Sequence, residues 1–208
     1  MKIGIVQASS QINKNSIIYE SVKEYAKGHE VINFGCTDDD KYEFSYIEAA
    51  FWVGLLLASG SIDFAVTGCS SGQGMMLACN SMPKVICGYA PTPKDAFLFA
   101  QINNGNAISF PLGENYTYMG EENLRQTVKM LFSEPFGQGY PKGEATHKLQ
   151  DTALLKNIRS RSQLGFTLFL ERLDKEFIKK ALRKENVIRY TIENGTDQEL
   201  IELLKQYI

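Results

Sequence analysis

Three features of the first 110 residues predict an α/β fold, a five-stranded parallel sheet covered by helices on both faces. Short apolar runs rich in β-branched and aromatic residues recur, segments with apolar residues at helical spacing separate them, and glycine or asparagine punctuates several ends. The runs are "KIGIV" (2–6), "HEVINF" (29–34), "DFAVT" (63–67), "KVICGY" (84–89) and "AISF" (107–110). Between them lie "NSIIYESVKEYAKG", "YIEAAFWVGLLLASG", "GMMLACNS" and "PKDAFLFAQI". Strict alternation implies right-handed crossovers that lay a helix over each strand pair.

A further helix, "EENLRQTVKMLF" (121–132), closes a core domain over residues 1–133. The texture then changes. Residues 133–147 hold three glycines and two of the six prolines, which reads as a linker or ordered loop. The rest of 134–208 is helical in pattern, through "QDTALLKNI", "LERLDKEFIKKALRKE" and "DQELIELLKQYI". This C-terminal appendage is expected to pack on its own core or to lie across a partner subunit.

Composition bounds the function. The 208 residues are 44% hydrophobic and 22% charged, the balance of an ordinary globular protein. A net charge of −2 argues against nucleic acid as a partner and makes a small molecule the default. The four cysteines form no CxxC pair and the two histidines lie apart, so no metal site is expected. Met1 leads directly into a strand, without a secretory signal, and "AAFWVGLLLA" (49–58) is too short to cross a bilayer. The expectation is a cytoplasmic protein with reduced thiols and no membrane contact.

The stretch "VTGCSSGQGMML" (66–77) carries the chemistry. It follows the third strand, and ligands of parallel sheets bind beyond the strands' carboxyl ends, at helix amino termini. Cys69 sits just before a helix starting near Ser71 or Gly72, where unpaired N–H groups and the helix dipole favour negative charge. Ser70, Gly72 and Gly74 keep bulk small, so a ligand can approach the backbone. Amides beside a nucleophilic sulfur suit proton abstraction next to a carbonyl. The alternative is that Cys69 is a small buried hydrophobe in a common glycine-rich turn. Cys36, Cys79 and Cys87 read as structural.

The sequence resembles the type B ribose-5-phosphate isomerases and the related galactose-6-phosphate isomerase subunits. "MKIGI", "GHEVINFG" (28–35), "GCSSGQGMMLACN" (68–80) and "NNGNAIS" (103–109) fall in family order over roughly residues 1–132. The resemblance implies a Rossmann-like three-layer fold, a homodimer or homotetramer with sites at the subunit interface, and aldose–ketose isomerisation of a sugar phosphate or related sugar without cofactor. It implies that Cys69 moves a proton between C1 and C2 through an enediolate, that Ser71 assists proton transfer, and that the amides of Ser70, Gly72, Gln73 and Gly74 form an anion cradle. It further points to Tyr42, Glu43, Asn80, Asn103 and Asn104 as substrate contacts.

Departures from the family pattern bear on the substrate. After the first strand the family has Asp-His, where this chain has Ala8-Ser9, leaving Ser9 as the candidate contact. A ring-opening histidine is expected after the fourth strand, where this chain reads "GYAPTPKDA". Residues 1–124 contain no arginine, so a phosphate clamp would need Arg159 or Arg161 from the appendage. Two functions follow: an isomerase using Cys69, or a noncatalytic sugar- or anion-binding protein that keeps only the cradle.

Overall fold

The computed structural model of the protein describes residues 1–207. Its strands are β1 (Lys2–Gln7), β2 (Glu30–Asn33), β3 (Phe64–Cys69), β4 (Cys87–Tyr89) and β5 (Ala107–Pro111), all parallel, in the order β2-β1-β3-β5-β4. The chain runs outward from β1 to β2 and returns to place β3 on the other side of β1. The loops leaving β1 and β3 therefore diverge, which opens a crevice at the carboxyl ends of these strands.

Helices α1 (Asn15–Tyr25), α2 (Tyr46–Ala58), α3 (Gln73–Ser81), α4 (Pro93–Leu98) and α5 (Gly120–Leu131) cover the sheet. On one face Ile3, Ile5, Val66 and Ile108 pack with Ile18 and Val22 of α1 and with Leu124, Val128 and Leu131 of α5. On the other, Val6 and Ala65 pack with α2 and α3. The result is the expected Rossmann-like three-layer α/β arrangement.

Helix α2 is buried nearly all round, from Ala49 to Leu56, because a further layer lies outside it. That layer is C-terminal: α7 (Phe166–Arg172), α8 (Lys175–Ala181), α9 (Glu185–Asn194) and α10 (Gln198–Lys205). Phe166, Leu170, Ile178, Val187, Leu200 and Leu204 join the same apolar cluster as Phe51 and Leu55. Trp52 Nε1 donates to the Ala181 carbonyl across this contact at 2.8 Å. The packing thus runs across the change of texture at residues 133/134. Helix α6 (Ala145–Ser162) differs: only Thr152 is buried, while Leu154 and Ile158 are 60% and 54% exposed.

Local differences from the sequence reading have local causes. The run 84–89 becomes a strand only at Cys87, since Lys84 takes φ 64° and Ile86 N bonds the Asn106 side chain instead of a ladder partner. "PKDAFLFAQI" leaves α-geometry after Leu98 in a wider turn, Phe99–Asn103, closed by Asn104 N to Phe99 O. "LERLDKEFIKKALRKE" is two helices because Leu173 is extended and Asp174 caps α8 by accepting from Phe177 N. Helix α9 falls in the stretch read as helical in pattern, almost wholly outside the runs singled out there.

Candidate active site

Cys69 is the last residue of β3, at the crevice, and is 8% exposed. Its carbonyl accepts from Leu112 N at 3.0 Å and Gly72 N at 3.1 Å, which folds the chain back before α3 begins. Gly72 makes the fold-back possible: its φ is 76°, and a Cβ there would lie 2.7 Å from the Tyr89 ring and 2.8 Å from Phe110 backbone carbon. Ser109 Oγ donates to the Gly72 carbonyl at 2.6 Å and fixes the turn from below.

The turn leaves backbone donors free. Among the described residues, the amides of Ser70, Ser71, Gly74 and Met75 donate to no protein acceptor, and Gln73 N makes only a long bond, 3.3 Å, to Ser71 Oγ. Open donors at the positive end of α3 suit an anion. A Cβ on Gly74 would lie 3.5 Å from Tyr46 Cε2 and 3.9 Å from Cys69 Sγ, so the Tyr46 ring, Gly74 and the sulfur border one small space.

One contributor escaped sequence reasoning. Gln11, in the loop after β1, is buried and donates through Nε2 to Ser70 Oγ at 3.0 Å. With its oxygen accepting there, the Ser70 hydroxyl is left to donate elsewhere. The strand-order rule points to this loop; nothing in the sequence singles out which of its side chains reaches across.

The other cysteines are set apart by their surroundings. Burial pushes the Cys36 thiol up, against the hydrogen bond from Ser9, and burial with the neighbouring Cys79 thiol pushes Cys87 well up. Both are held protonated as core groups. All four cysteines are free. Among the described residues no cluster of three or more His, Cys, Asp or Glu is placed to hold a metal, and no helix is long and apolar enough to cross a membrane.

The remaining candidates divide between the two ends of the sheet. At the crevice end, Ser9 exchanges bonds with Phe44, N to O at 3.0 Å and Oγ from N at 2.8 Å. Ser9, Ser10, Thr37, Tyr42, Glu43 and Lys180 line an open polar cleft of about 600 Å³.

At the opposite end lie Asn103 and Asn104, ahead of β5. Cys69 pairs with Pro111 and Ala107 with Ala65, so four residues of about 3.3 Å rise put at least about 13 Å between the sulfur's level and these asparagines. Arg159 is there too, donating through Nη2 to the Asn80 and Val85 carbonyls, while Arg161 is exposed and bonds Asn157. The Asn80 amide is fully engaged, donating to Met76 O and Cys87 O and accepting from Cys87 N, which ties α3 to β4. Within one chain, then, Asn80, Asn103, Asn104, Arg159 and Arg161 do not meet Cys69. His29 bonds the amino terminus and His147 pairs with Asp151 on α6, so neither stands in the crevice.

A doubly wound parallel sheet with a cysteine and open backbone donors at its switch point defines the class: a Rossmann-like α/β protein whose candidate site lies at the carboxyl ends of β1 and β3. Residues 3–149 match the ribose/galactose isomerase family, and the chain belongs to that family. Two solved structures align over its full length: a 4-deoxy-L-threo-5-hexosulose-uronate ketol-isomerase complexed with a tartrate (36% identity, 99% of that chain, TM-score 0.93) and a ribose-5-phosphate isomerase from Vibrio parahaemolyticus (34%, 99%, 0.92). The type B ribose 5-phosphate isomerase of Trypanosoma cruzi shares the fold at 19% identity, covering 77% of this chain and 99% of its own, with a TM-score of 0.64. No curated protein matches the sequence significantly.

Proposed function

We propose that the protein is an aldose–ketose isomerase acting on a sugar acid of the 4-deoxy-L-threo-5-hexosulose uronate type, with Cys69 as the proton-transferring base. The observation that carries this reading is the position of the sulfur beside the open amides of Ser70, Ser71, Gly74 and Met75, the Gly72 amide being taken by the Cys69 carbonyl.

Cys69 removes the proton from the hydroxyl-bearing carbon next to the carbonyl. The C–H electron pair forms the C=C bond of an enediolate, and the former carbonyl oxygen takes the negative charge, held by the amide cradle. Cys69 returns its proton to the neighbouring carbon while the Ser71 hydroxyl relays a proton between the two oxygens. Nothing is oxidised or reduced overall, so the reaction draws on no cofactor.

Two observations favour a sugar acid over a sugar phosphate. A phosphate monoester is nearly doubly charged and is typically clamped by arginine, whereas Arg159 is engaged by the Asn80 and Val85 carbonyls and Arg161 lies at the far end of the sheet within its own chain, so that a clamp would have to come from a second chain. A carboxylate carries one charge, which the open amides after Cys69 and the hydroxyls at the crevice can meet. Second, a 4-deoxy-5-ulose has no hydroxyl on C4 or C5 to close a furanose or pyranose ring. Such a substrate needs no ring-opening histidine, and neither histidine of this chain is at the crevice.

The exposed leucine and isoleucine face of α6 supports a homodimer, and only a second chain would bring Asn103, Asn104 or Arg161 to Cys69. We place the enzyme in the cytoplasm. Steady-state assays of 4-deoxy-L-threo-5-hexosulose uronate, ribose 5-phosphate and galactose 6-phosphate test the reading. The uronate is expected to give the highest kcat/KM by about 100-fold or more, the discrimination a mismatched charged group imposes. Preferred turnover of ribose 5-phosphate would overturn the sugar-acid assignment.

A further inference from the structure

We infer that the C-terminal helices support substrate binding: Lys184, with Lys180, is a positioning residue that fixes the wall of the substrate cleft. This rests on the isomerase reading above. The wall is the segment from Phe34 to Ser45 between β2 and α2, which has no regular structure and carries Tyr42 and Glu43. An irregular segment beside a cleft samples many conformations unless its surroundings hold it.

On its inner side the wall is stitched to the strand ends. Gln7 Nε2 donates to Cys36 O at 2.6 Å, and Ser9 pairs with Phe44. On its outer side Tyr190 of α9 packs edge-on against Phe34 at 5.0 Å, and the polar and cationic contacts come from α8 and the turn after it. Lys184 Nζ donates to Gly35 O at 3.1 Å and to both Asp40 oxygens at 2.6 Å. Lys180 pairs with Glu48 at 2.7 Å, and the Arg183 guanidinium lies over the Tyr42 ring at 4.8 Å. Trp52 joins the two sides, bonding the Ala181 carbonyl and meeting the Phe44 ring edge-on at 4.8 Å.

The Lys184 side chain is 5% exposed, and each of its three N–H donors has an acceptor. A buried ion pair is a poor means of gaining stability, since an apolar pair of similar volume often does as well. What it supplies is geometry: a fixed separation between the wall and the helix layer. Asp40 passes that constraint to Thr37, whose amide it accepts from at 2.9 Å, and the segment continues through Ser45 to Tyr46, whose ring faces the same space at Gly74 as Cys69 Sγ.

The test uses full-length Lys184→Met and Lys184→Arg. Three quantities are read: steady-state constants on 4-deoxy-L-threo-5-hexosulose uronate, the concentration of tartrate that half-protects Cys69 from iodoacetamide, and the emission of Trp52, the single tryptophan. Lys184→Met is expected to raise KM and the half-protecting tartrate concentration about tenfold, with kcat within about threefold and the unprotected alkylation rate unchanged, the pattern of lost binding rather than lost chemistry. Trp52 emission should shift to the red, and Lys184→Arg should recover most of the KM. If Lys184→Met fails to fold because Asp40 is left uncompensated, the double variant Lys184→Met/Asp40→Leu removes both charges and is read the same way. A folded variant with unchanged KM and unchanged tartrate protection, or one whose kcat falls at constant KM, would overturn the inference. Absence of uronate turnover by the wild-type protein would count against the functional reading alone, because tartrate protection and Trp52 emission report on the wall without turnover.

Discussion

The two ends of the sheet use similar polar residues to opposite effect. At the amino end, Arg159, Asn80 and Asn106 bond to the backbone of Val85, Ile86 and Cys87, so the irregular entry to β4 is satisfied internally. At the carboxyl end, the turn after Cys69 leaves amide donors open, and the bonds of Gln11 and Ser109 hold the turn without filling them. Sites arise where backbone donors are held rigid and unpaired. Charged side chains alone do not mark them.

The largest effect expected is at the sulfur. Cys69→Ala should lower kcat by about 10²–10⁴-fold, the usual contribution of a positioned acid–base group, while tartrate affinity stays close to wild type. Iodoacetamide should label Cys69 ahead of Cys36 and Cys87, whose thiols burial holds protonated; equal labelling of all four cysteines would break the comparison. Gly72→Ala comes next. Its Cβ meets backbone at 2.8 Å in a left-handed conformation, and a stability loss of about 1–3 kcal/mol with loss of the cradle is expected in thermal unfolding and activity assays.

At the other end the changes should be structural. Arg159→Ala strips the Val85 and Asn80 carbonyls of a donor and should cost about 1–3 kcal/mol of stability, with the preference between phosphorylated and unphosphorylated sugars unchanged. A selective rise in KM for phosphorylated sugars in Arg159→Ala or Arg161→Ala would show that this end serves a neighbouring chain's site. Leu154→Asp with Ile158→Asp should convert a dimer to monomer in sedimentation. A wild-type monomer at micromolar concentration would remove α6 as an interface.

The smallest effect concerns pH. Burial alone would raise the Glu48 carboxyl, but its bonds with Lys180 and Ser45 outweigh this and hold it below the ordinary 4.5. Its stabilising contribution is therefore full above pH 4.5 and is lost as pH falls through the lower, folded value. Glu48→Gln should flatten the dependence of Tm on pH in that acid range.

Much of this was legible from residue patterns. The five strands and the helix after each follow from short β-branched runs and helical spacing, because both faces of the sheet are buried and leave an apolar record. The cysteine loop is legible as a glycine-rich turn after an apolar strand, a pattern that a site shares with ordinary strand-to-helix turns. The C-terminal layer was not: Asp174 restarts a helix inside a continuous amphipathic pattern, and α2 looks like a generic apolar helix until the partners on its second face are seen. Lys184 reads as a surface lysine in "ALRKEN", since a pairing with Asp40 across 144 positions leaves no periodic trace. Asn80 and Arg159, which the sequence offers as site groups, bond to backbone within their own chain.

The most direct test of the central claim is solvent exchange. With 4-deoxy-L-threo-5-hexosulose uronate in D₂O, the Cys69 S–H exchanges with solvent while the enediolate is held, so wild-type protein should introduce deuterium at the carbon that receives the proton, seen by NMR, and Cys69→Ala should do so at least about 100-fold more slowly. Deuterium incorporation by Cys69→Ala at the wild-type rate would contradict the assignment of Cys69 as the base.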